Sequence, residues 1–222
     1  APHPGWAEQD PEFWWTCIQK VTRQLLEKTG VEGALIGSIG IAYQMHGLVL
    51  VDEQQQVVRP SIIWCDSRAV ETGQKGLNAI GKKKALQHLL NSPGNFTASK
   101  MRWVQQQEPE QYQRVFKMML PGDFIAMRMS GDIQTTITGL SEGVLWDFSE
   151  RQIAQDVLKV YDLKPALLPE IVPTIGLQSS LSPDAAKILG LKAGTPISYR
   201  AGDQPNNALS LGVLSPGEVA AT

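Results

Sequence analysis

Cysteine is scarce in this 222-residue sequence, which has only Cys17 and Cys65. The two lie far apart and lack the spacing of a disulfide framework or a metal site, which is typical of a reducing compartment, and we expect the cytoplasm. No apolar run approaches the ~18–20 uninterrupted residues that a membrane-spanning helix needs, so the sequence predicts no membrane insertion. With a formal net charge of −2, the chain also has no excess of positive charge for binding nucleic acid or an anionic membrane.

Common nucleotide and catalytic motifs are missing too. The sequence has no Gly-x-x-x-x-Gly-Lys-[Ser/Thr] phosphate loop, no Gly-x-Gly-x-x-Gly after a predicted strand, no Gly-x-Ser-x-Gly elbow and no metal-ligand cluster. It starts without Met, and residues 217–222 have the pattern of a strand that has just begun, which would leave backbone groups unpaired. We therefore expect a piece of a longer protein.

Apolar runs typical of strands and periodic segments typical of helices are mixed along the chain, which predicts an α/β fold. Residues 35–43 are apolar enough for an inner strand buried on both faces, and residues 48–52 and 57–64 have the pattern of a hairpin. Asp10 and Gly30 have the chemistry of a helix N-cap and of a helix C-terminal stop. Further helices are predicted at residues 67–80, 82–90, 98–107, 109–114, 121–129, 150–160 and 183–189, and short strands within residues 131–148.

Polar residues follow three of the predicted strands. Ligands of open α/β sheets bind beyond the carboxyl ends of strands, because backbone groups are free there and side chains point into a crevice. The three ends are residues 44–47, residues 64–68 and Asp203, which follows the strand-like residues 196–200. If these ends converge, they form a sugar pocket with a base at its floor.

The first strand end carries Met45 and His46. An imidazole can donate a hydrogen bond through one ring nitrogen and accept one through the other, and Gly47 would let a ligand approach the backbone. The alternative is a structural histidine that hydrogen-bonds within the protein.

The second strand end carries Trp64, Asp66 and Arg68. An indole face covers the C–H groups of a sugar, and charged side chains bind vicinal hydroxyls more strongly than neutral ones do. The alternative is that Asp66 caps the following helix and Arg68 pairs with a surface acid.

The third strand end places Asp203 at the head of a predicted helix, residues 204–211. Amide donors at a helix N-terminus favour the ionised carboxylate, which is the form that a general base needs. Pro205 suits the first helical turn because it has no N–H to satisfy, and Asn206 and Asn207 add amides that could reach a ligand. The alternative is that Asp203 caps the helix, and both roles can hold at once.

These motifs resemble those of the FGGY carbohydrate kinases and, within that family, of the xylulokinases. The resemblance covers essentially the whole chain and keeps the family's order. The similar segments are residues 4–14, Gln44-Met45-His46-Gly47, Trp64-x-Asp66-x-Arg68, Phe96-Thr97-Ala98-Ser99-Lys100-x-x-Trp103 and Gly202-Asp203-Gln204-x-x-Asn207-Ala208. Asn95 departs from the family pattern, which usually has glycine or one of a few other residues there, and residues 144–147 are only loosely similar.

The resemblance implies a ribonuclease-H/actin-like ATPase fold, in which residues 1–222 are the N-terminal, sugar-binding domain without its first strands and phosphate loop. A nucleotide-clamping domain would follow beyond this chain. The implied reaction is the phosphorylation of a ketose such as D-xylulose by ATP with Mg²⁺, with Asp203 as the general base. The implied sugar-binding residues are Met45, His46, Asp66, Arg68, Gln204 and Asn207. Because the nucleotide-binding residues would lie outside this chain, the isolated chain is expected to be inactive.

Several alternatives remain open at this point. The kinase could act on another sugar of the family, such as ribulose, fuculose, gluconate or glycerol. The chain could be a non-catalytic sugar-binding or sensor domain in which Asp203 is only a helix cap. A glycosidase with Asp66 and Asp203 as its carboxylate pair is another alternative, although the sequence does not define the distance between them. The sequence is also compatible with a homodimer.

Overall fold

The computed structural model describes residues 3–219. Helices and strands are mixed along this range, as predicted. The helices are α1 (Pro11–Thr29), α2 (Val70–Ile80), α3 (Lys82–His88), α4 (Thr97–Gln107), α5 (Pro109–Gln113), α6 (Pro121–Ser130), α7 (Ile137–Glu142), α8 (Gln155–Tyr161), α9 (Pro183–Leu189) and α10 (Asp203–Ser210). The strands are β1 (Glu8–Gln9), β2 (Ile39–Tyr43), β3 (Val49–Val51), β4 (Ser61–Ile62), β5 (Lys117–Met119), β6 (Gln134–Thr136), β7 (Trp146–Asp147), β8 (Gln152–Ile153), β9 (Glu170–Val172), β10 (Ile175–Ser180) and β11 (Pro196–Gly202).

A three-stranded sheet with the order β10-β11-β2 positions the candidate site. Strand β10 runs antiparallel to β11, whereas β11 and β2 are parallel. In the parallel pair Gly202 lies opposite Tyr43, so both strands end at the same edge of the sheet. The residues that follow the two strands are therefore brought together at that edge.

The prediction of an inner strand at residues 35–43 was wrong in two respects. Leu35 belongs to a short 3-10 turn and is 74% exposed, and the strand begins only at Ile39. Among the described residues β2 pairs with β11 alone, and its buried residues are the alternate ones, Ile41 and Tyr43. An apolar run shows that a segment can be buried, but it does not show how many neighbouring strands it has.

The predicted hairpin of residues 48–52 and 57–64 forms, although isolated bridges rather than a continuous ladder join its two arms. Asp52 Oδ1 accepts hydrogen bonds from the backbone N–H groups of Gln54 and Gln56, which closes the polar turn. Each arm also pairs with a further strand, β3 with β5 and β4 with β1. The antiparallel bridges between the arms join Leu48 with Ile62 and Val51 with Val57, and the first of them places the turn after β2 beside the end of β4.

Helix α1 follows the capping rules that predicted it. Asp10 accepts a hydrogen bond from the Glu12 N–H at 2.9 Å, and Gly30 ends the helix with a positive φ of 68°. Helix α9 matches its predicted range, whereas α8 begins five residues after the predicted residue 150, because residues 152–153 form β8. Residues 217–219, predicted to begin a strand, are in none, and residues 220–222 lie outside the described range.

The apolar core consists of two clusters that meet at β3. Leu50 belongs to the cluster formed with α4 and α8, and Val49 and Val51 belong to the cluster formed with α1, α6 and α9. All three side chains are 0% exposed, so β3 is a strand buried on both faces. Within residues 3–219, no helix combines the length and the apolar character needed to cross a membrane.

Candidate functional site

Asp203 lies at the turn between β11 and α10, which confirms the predicted strand-to-helix turn. The parallel pairing of β11 with β2 puts this turn next to the loop that contains Met45 and His46. Two of the three predicted strand ends therefore converge at one edge of the sheet.

Gly202 allows close packing at this edge. A Cβ atom on Gly202 would overlap the side chain of Met45 and would lie 2.7 Å from Glu142 Oε2. The φ of Gly202 is −60°, which any residue can adopt, so the restriction is one of space rather than of backbone conformation. Met45 and Glu142 thus pack directly against the backbone that presents Asp203.

His46 is held in a defined orientation. Its backbone is in the left-handed region with a φ of 59°, its ring centroid lies 4.3 Å from that of Phe96, and its Nδ1 lies 2.9 Å from the carbonyl oxygen of Glu142. A carbonyl oxygen can only accept, so Nδ1 carries a proton. Burial lowers the pKa of His46, and the positive charge of Lys100 adds to this, while the Glu142 carbonyl and Asp203 oppose it. The imidazole is therefore neutral at pH 7, with Nε2 left as a hydrogen-bond acceptor.

A cleft of about 270 Å³ lies at this edge. Its walls come from the loop after β2, the first turn of α10, the end of α7 and the segment after α3. The lining residues are Met45, His46, Leu89, Leu90, Asn91, Thr138, Ser141, Glu142, Val144, Phe148 and Pro205. The last two walls were absent from the sequence-based prediction of the site.

The predicted ligand-binding residues of α10 divide into two kinds. Asp203, Gln204 and Asn207 are exposed, and Asp203 Oδ1 accepts the Gln204 N–H at 3.0 Å. The Asn206 side-chain amide instead donates to the carbonyl oxygens of Ala201 and Gly202 at 3.0 and 2.8 Å. Asn206 therefore braces the strand-to-helix turn, and the other three side chains face outward.

Glu142 is a site residue that sequence reasoning missed. It is 8% exposed, and burial together with the negative charge of Asp123 raises the pKa of its carboxyl well above the ordinary value. Its Oε1 is buried without a hydrogen-bond partner of ordinary geometry. Glu142 lies at the end of α7, inside the stretch that was predicted to hold short strands. In the sequence it is a single acid beside Gly143, and no motif around it indicated a site residue.

Asp66 and Arg68 form a buried ion pair. Arg68 Nη2 lies 2.7 Å from Asp66 Oδ2, Arg68 Nη1 lies 2.7 Å from Glu8 Oε1, and the guanidinium carbon lies 3.9 Å from the ring centroid of Trp6. Burial alone would raise the pKa of Asp66, but the hydrogen bonds from Arg68 and from the Ala7 N–H outweigh it and lower that pKa.

The charged atoms of this pair are directed toward each other rather than toward the cleft. The two side chains are 0–1% exposed, and neither residue lines the cleft. By contrast, Trp64 on the same loop is 60% exposed. The structure thus places the ion pair where it ties residues 6–8 to the end of β4.

Among residues 3–219, no three or more His, Cys, Asp and Glu side chains are grouped so that they could hold a metal ion.

Comparisons with known proteins agree with this architecture. The FGGY family of carbohydrate kinases, N-terminal domain, matches residues 1–210. The xylulose kinase of Escherichia coli K12 is 32% identical over 214 residues, which cover 96% of this chain and 43% of that protein. The solved structure of the xylulose kinase from Rhodospirillum rubrum has a TM-score of 0.92 at 27% identity and covers 98% of this chain and 45% of that one. The Plasmodium falciparum glycerol kinase solved with ADP has a TM-score of 0.86 at 20% identity over 97% of this chain and 44% of that one, a likeness of fold alone.

The chain therefore spans less than half the length of these relatives. Its mixed α/β fold is that of the actin-like ATPases, as represented by the sugar kinases among its structural neighbours. With a family match over residues 1–210, the chain belongs to the FGGY family of carbohydrate kinases and corresponds to the N-terminal domain of that family.

Proposed function

We propose that the natural protein carrying this chain phosphorylates a ketose with ATP and that the substrate is D-xylulose, giving D-xylulose 5-phosphate. The observation that carries the proposal is that the parallel pairing of β11 with β2 puts Asp203 next to the loop of His46, close enough for the Asp203 charge to act on the imidazole. His46 and Pro205 line the cleft, and Asp203 lies beside it. The name of the Escherichia coli relative, xylulose kinase, supports the choice of sugar.

Asp203 is the general base of the proposed reaction. Its carboxylate is exposed at the first residue of α10. It takes the proton of a terminal sugar hydroxyl while that oxygen forms a bond to the γ-phosphorus of ATP, and the bond from that phosphorus to the bridging oxygen breaks, releasing ADP. Phosphoryl transfer leaves the protein mainly the work of alignment, and a well-placed base adds about 10²–10⁴ in rate.

His46 and Met45 hold the sugar in this proposal. Because Nδ1 of His46 donates to the Glu142 carbonyl, Nε2 accepts a hydrogen bond from a sugar hydroxyl. Met45 lines the cleft and covers the C–H groups of the carbon chain. The amides of Gln204 and Asn207, exposed beside Asp203, bind further hydroxyls.

The prediction that Asp66 and Arg68 contact the sugar directly remains a prediction. Their buried ion pair favours an indirect role, in which they hold the loop after β4 in place and leave the exposed Trp64 to face a ligand.

In the proposal ATP is the phosphoryl donor and Mg²⁺ is its accompanying cofactor, and the residues that bind them are expected outside this chain. Residues 3–219 offer no cluster of metal-ligating side chains of their own. We accordingly expect the isolated chain to show no ATP-dependent phosphorylation of sugar. A cytoplasmic location and a homodimer remain predictions.

The test is a coupled ADP-release assay on the natural protein, with D-xylulose compared with ribulose, fuculose, gluconate and glycerol. Calorimetric titration of sugar with and without ATP accompanies it. We expect ADP release that depends on the ketose and is fastest with D-xylulose. Faster turnover of another sugar would correct the substrate, and binding of sugar without any product would overturn the kinase in favour of a sugar-binding domain.

A further inference from the structure

Lys100 in α4 is fully buried, with 0% exposure, although lysine is almost never fully buried in proteins. Its Nζ donates hydrogen bonds to two backbone carbonyls, that of His46 at 2.7 Å and that of Ile63 at 3.0 Å. One ammonium group thus joins two loops, the loop after β2 and the loop after β4.

The two carbonyls belong to different parts of the candidate site. The first is the carbonyl of the cleft histidine itself, whose backbone has a positive φ of 59°. Such a φ is uncommon for a residue with a side chain and needs support from its surroundings. The second carbonyl belongs to Ile63, directly before the exposed Trp64. The Lys100 ammonium therefore supports the conformation of one loop and fixes its distance from the other.

The burial of this ammonium is costly for the fold. Burial lowers the pKa of Lys100 to about 8, although the negative charge of Asp66 opposes the shift. Replacing a buried charge by an apolar side chain of similar volume is often neutral or stabilising. If the side chain at this position only filled the core, an apolar residue would serve as well as lysine. Holding a backbone carbonyl, by contrast, requires a hydrogen-bond donor, which the lysine ammonium supplies.

We propose that Lys100 is a positioning residue for the sugar site. Its ammonium group fixes the backbone of His46, and the imidazole is thereby held with Nδ1 on the Glu142 carbonyl and Nε2 free to accept from the sugar. The inference rests on the proposed function, in which His46 binds the ketose. The charge of Lys100 also lowers the pKa of His46 and so favours the neutral ring.

Lys117 provides a matched control within the same chain. Its Nζ also donates to two backbone carbonyls, those of Ala166 at 2.7 Å and Leu168 at 2.9 Å. Neither these residues nor Lys117 line the cleft. Both lysines donate to two backbone carbonyls. Those of Lys100 belong to the two loops of the candidate site, and those of Lys117 lie away from the cleft.

The experiment compares Lys100→Met and Lys117→Met in the natural protein, and the rate of each variant is divided by its concentration of folded protein. For Lys100→Met we expect the KM for the ketose to rise on the order of 10–100-fold, because a misplacement of about 1 Å costs this much. The KM for ATP should stay near the wild-type value. Lys117→Met should leave both KM values unchanged. An unchanged ketose KM in Lys100→Met, or equal changes in the two variants, would overturn the inference.

Chemical restoration of the ammonium group distinguishes a positioning role of Lys100 from a role in core packing. Lys100→Cys, unfolded, alkylated with 2-bromoethylamine and refolded, carries an aminoethyl-cysteine that restores the ammonium, and the ketose KM should return to within a few-fold of wild type. Because Cys17 and Cys65 also react, wild-type protein taken through the same treatment is the reference. If Lys100→Met does not fold, the unmodified Lys100→Cys protein replaces it, since its short side chain places no ammonium group near the two carbonyls. Failure of the restored ammonium to recover the KM would contradict the proposed role.

A readout that does not depend on turnover keeps this inference separate from the proposed function. Nitrogen NMR of the His46 ring in Lys100→Met should show a raised His46 pKa and loss of the single Nδ1–H tautomer, with Lys117→Met as control. Unchanged His46 signals would overturn the inference even in an active kinase. A wild-type protein that turns over no sugar would overturn the proposed function, and the NMR comparison would still decide the role of Lys100.

Discussion

Two groups of polar residues follow strand ends in this molecule, and they differ in where their hydrogen bonds go. After β4, Asp66 and Arg68 are directed toward each other and toward Glu8, with side chains that are 0–1% exposed. After β2 and β11, His46 uses Nδ1 for a hydrogen bond to the Glu142 carbonyl, and Asp203 is exposed. Polar residues that follow strand ends therefore form a structural brace in one place and lie at an open cleft in the other.

The difference shows that a charged residue is informative about function only when its polar atoms are not already satisfied. An Arg side chain that makes a bidentate contact with a carboxylate and stacks on an aromatic ring has few donors left for a ligand. A carboxylate at the exposed end of a helix keeps lone pairs for a proton. The four predictions below test this distinction, from the largest expected effect to the smallest.

The first prediction concerns Asp203, the exposed carboxylate that follows β11. In the natural protein, Asp203→Asn should lower ketose turnover by about 10²–10⁴-fold, because the amide cannot take the proton. Sugar and ATP affinity, measured by calorimetry, should change by only a few-fold. Asp184→Asn is the matched control, since Asp184 is also an exposed acid in the first turn of a helix. Near-normal turnover of Asp203→Asn would remove Asp203 from the role of base.

The second prediction concerns Arg68, which belongs to the buried ion pair after β4. Arg68→Met leaves the buried Asp66 carboxylate without its partner, and breaking such a pair costs about 3–5 kcal/mol of unfolding free energy. Denaturant unfolding of the natural protein measures it, and Lys75→Met, which breaks the exposed Lys75–Glu71 pair, should change stability little. Lost sugar affinity at unchanged stability would instead support a direct contact between Arg68 and the sugar.

The third prediction concerns the close packing of Met45 against Gly202. Gly202→Ala should raise the ketose KM about 10-fold, because the added methyl group displaces Met45 and overpacking of this kind costs about 1–3 kcal/mol. Gly37→Ala is the control, since no atom lies within 4 Å of the Cβ that it would add. Equal ketose KM values for the two variants would show that Met45 does not need its present position.

The smallest effect concerns the buried carboxyl of Glu142. Its folded-state pKa is raised by burial and by Asp123, so the unfolded chain releases the proton first as the pH increases, and wild-type stability falls over that range. Glu142→Gln should come close to wild type near pH ~4, where the carboxyl is mostly protonated in both states, and should be more stable than wild type near pH ~8, where the unfolded chain has released the proton. Denaturant midpoints at both pH values measure this, with the exposed Glu110→Gln as control. A pH dependence equal to that of wild type would indicate that Glu142 is ionised in the fold.

Parts of the candidate site were predictable because neighbouring residues define them. The turn that delivers Asp203 was readable from a strand pattern, a glycine and a proline close together in sequence. The convergence of this turn with His46 was an expectation that the pairing of β11 with β2 confirms. Glu142 was missed because α7 was taken for short strands, and the internal use of Asn206 was missed because residue type does not show where an amide points.

The sequence by itself determined the family, the caps of α1 and the position of the acid at the head of α10, since these depend on motifs and on hydrogen bonds between near neighbours. Only the tertiary structure decided which strand β2 pairs with, which carboxylate Arg68 satisfies and which carbonyls Lys100 supports. These choices join residues far apart along the chain, and burial and partner geometry select among many pairings that the same residue types allow.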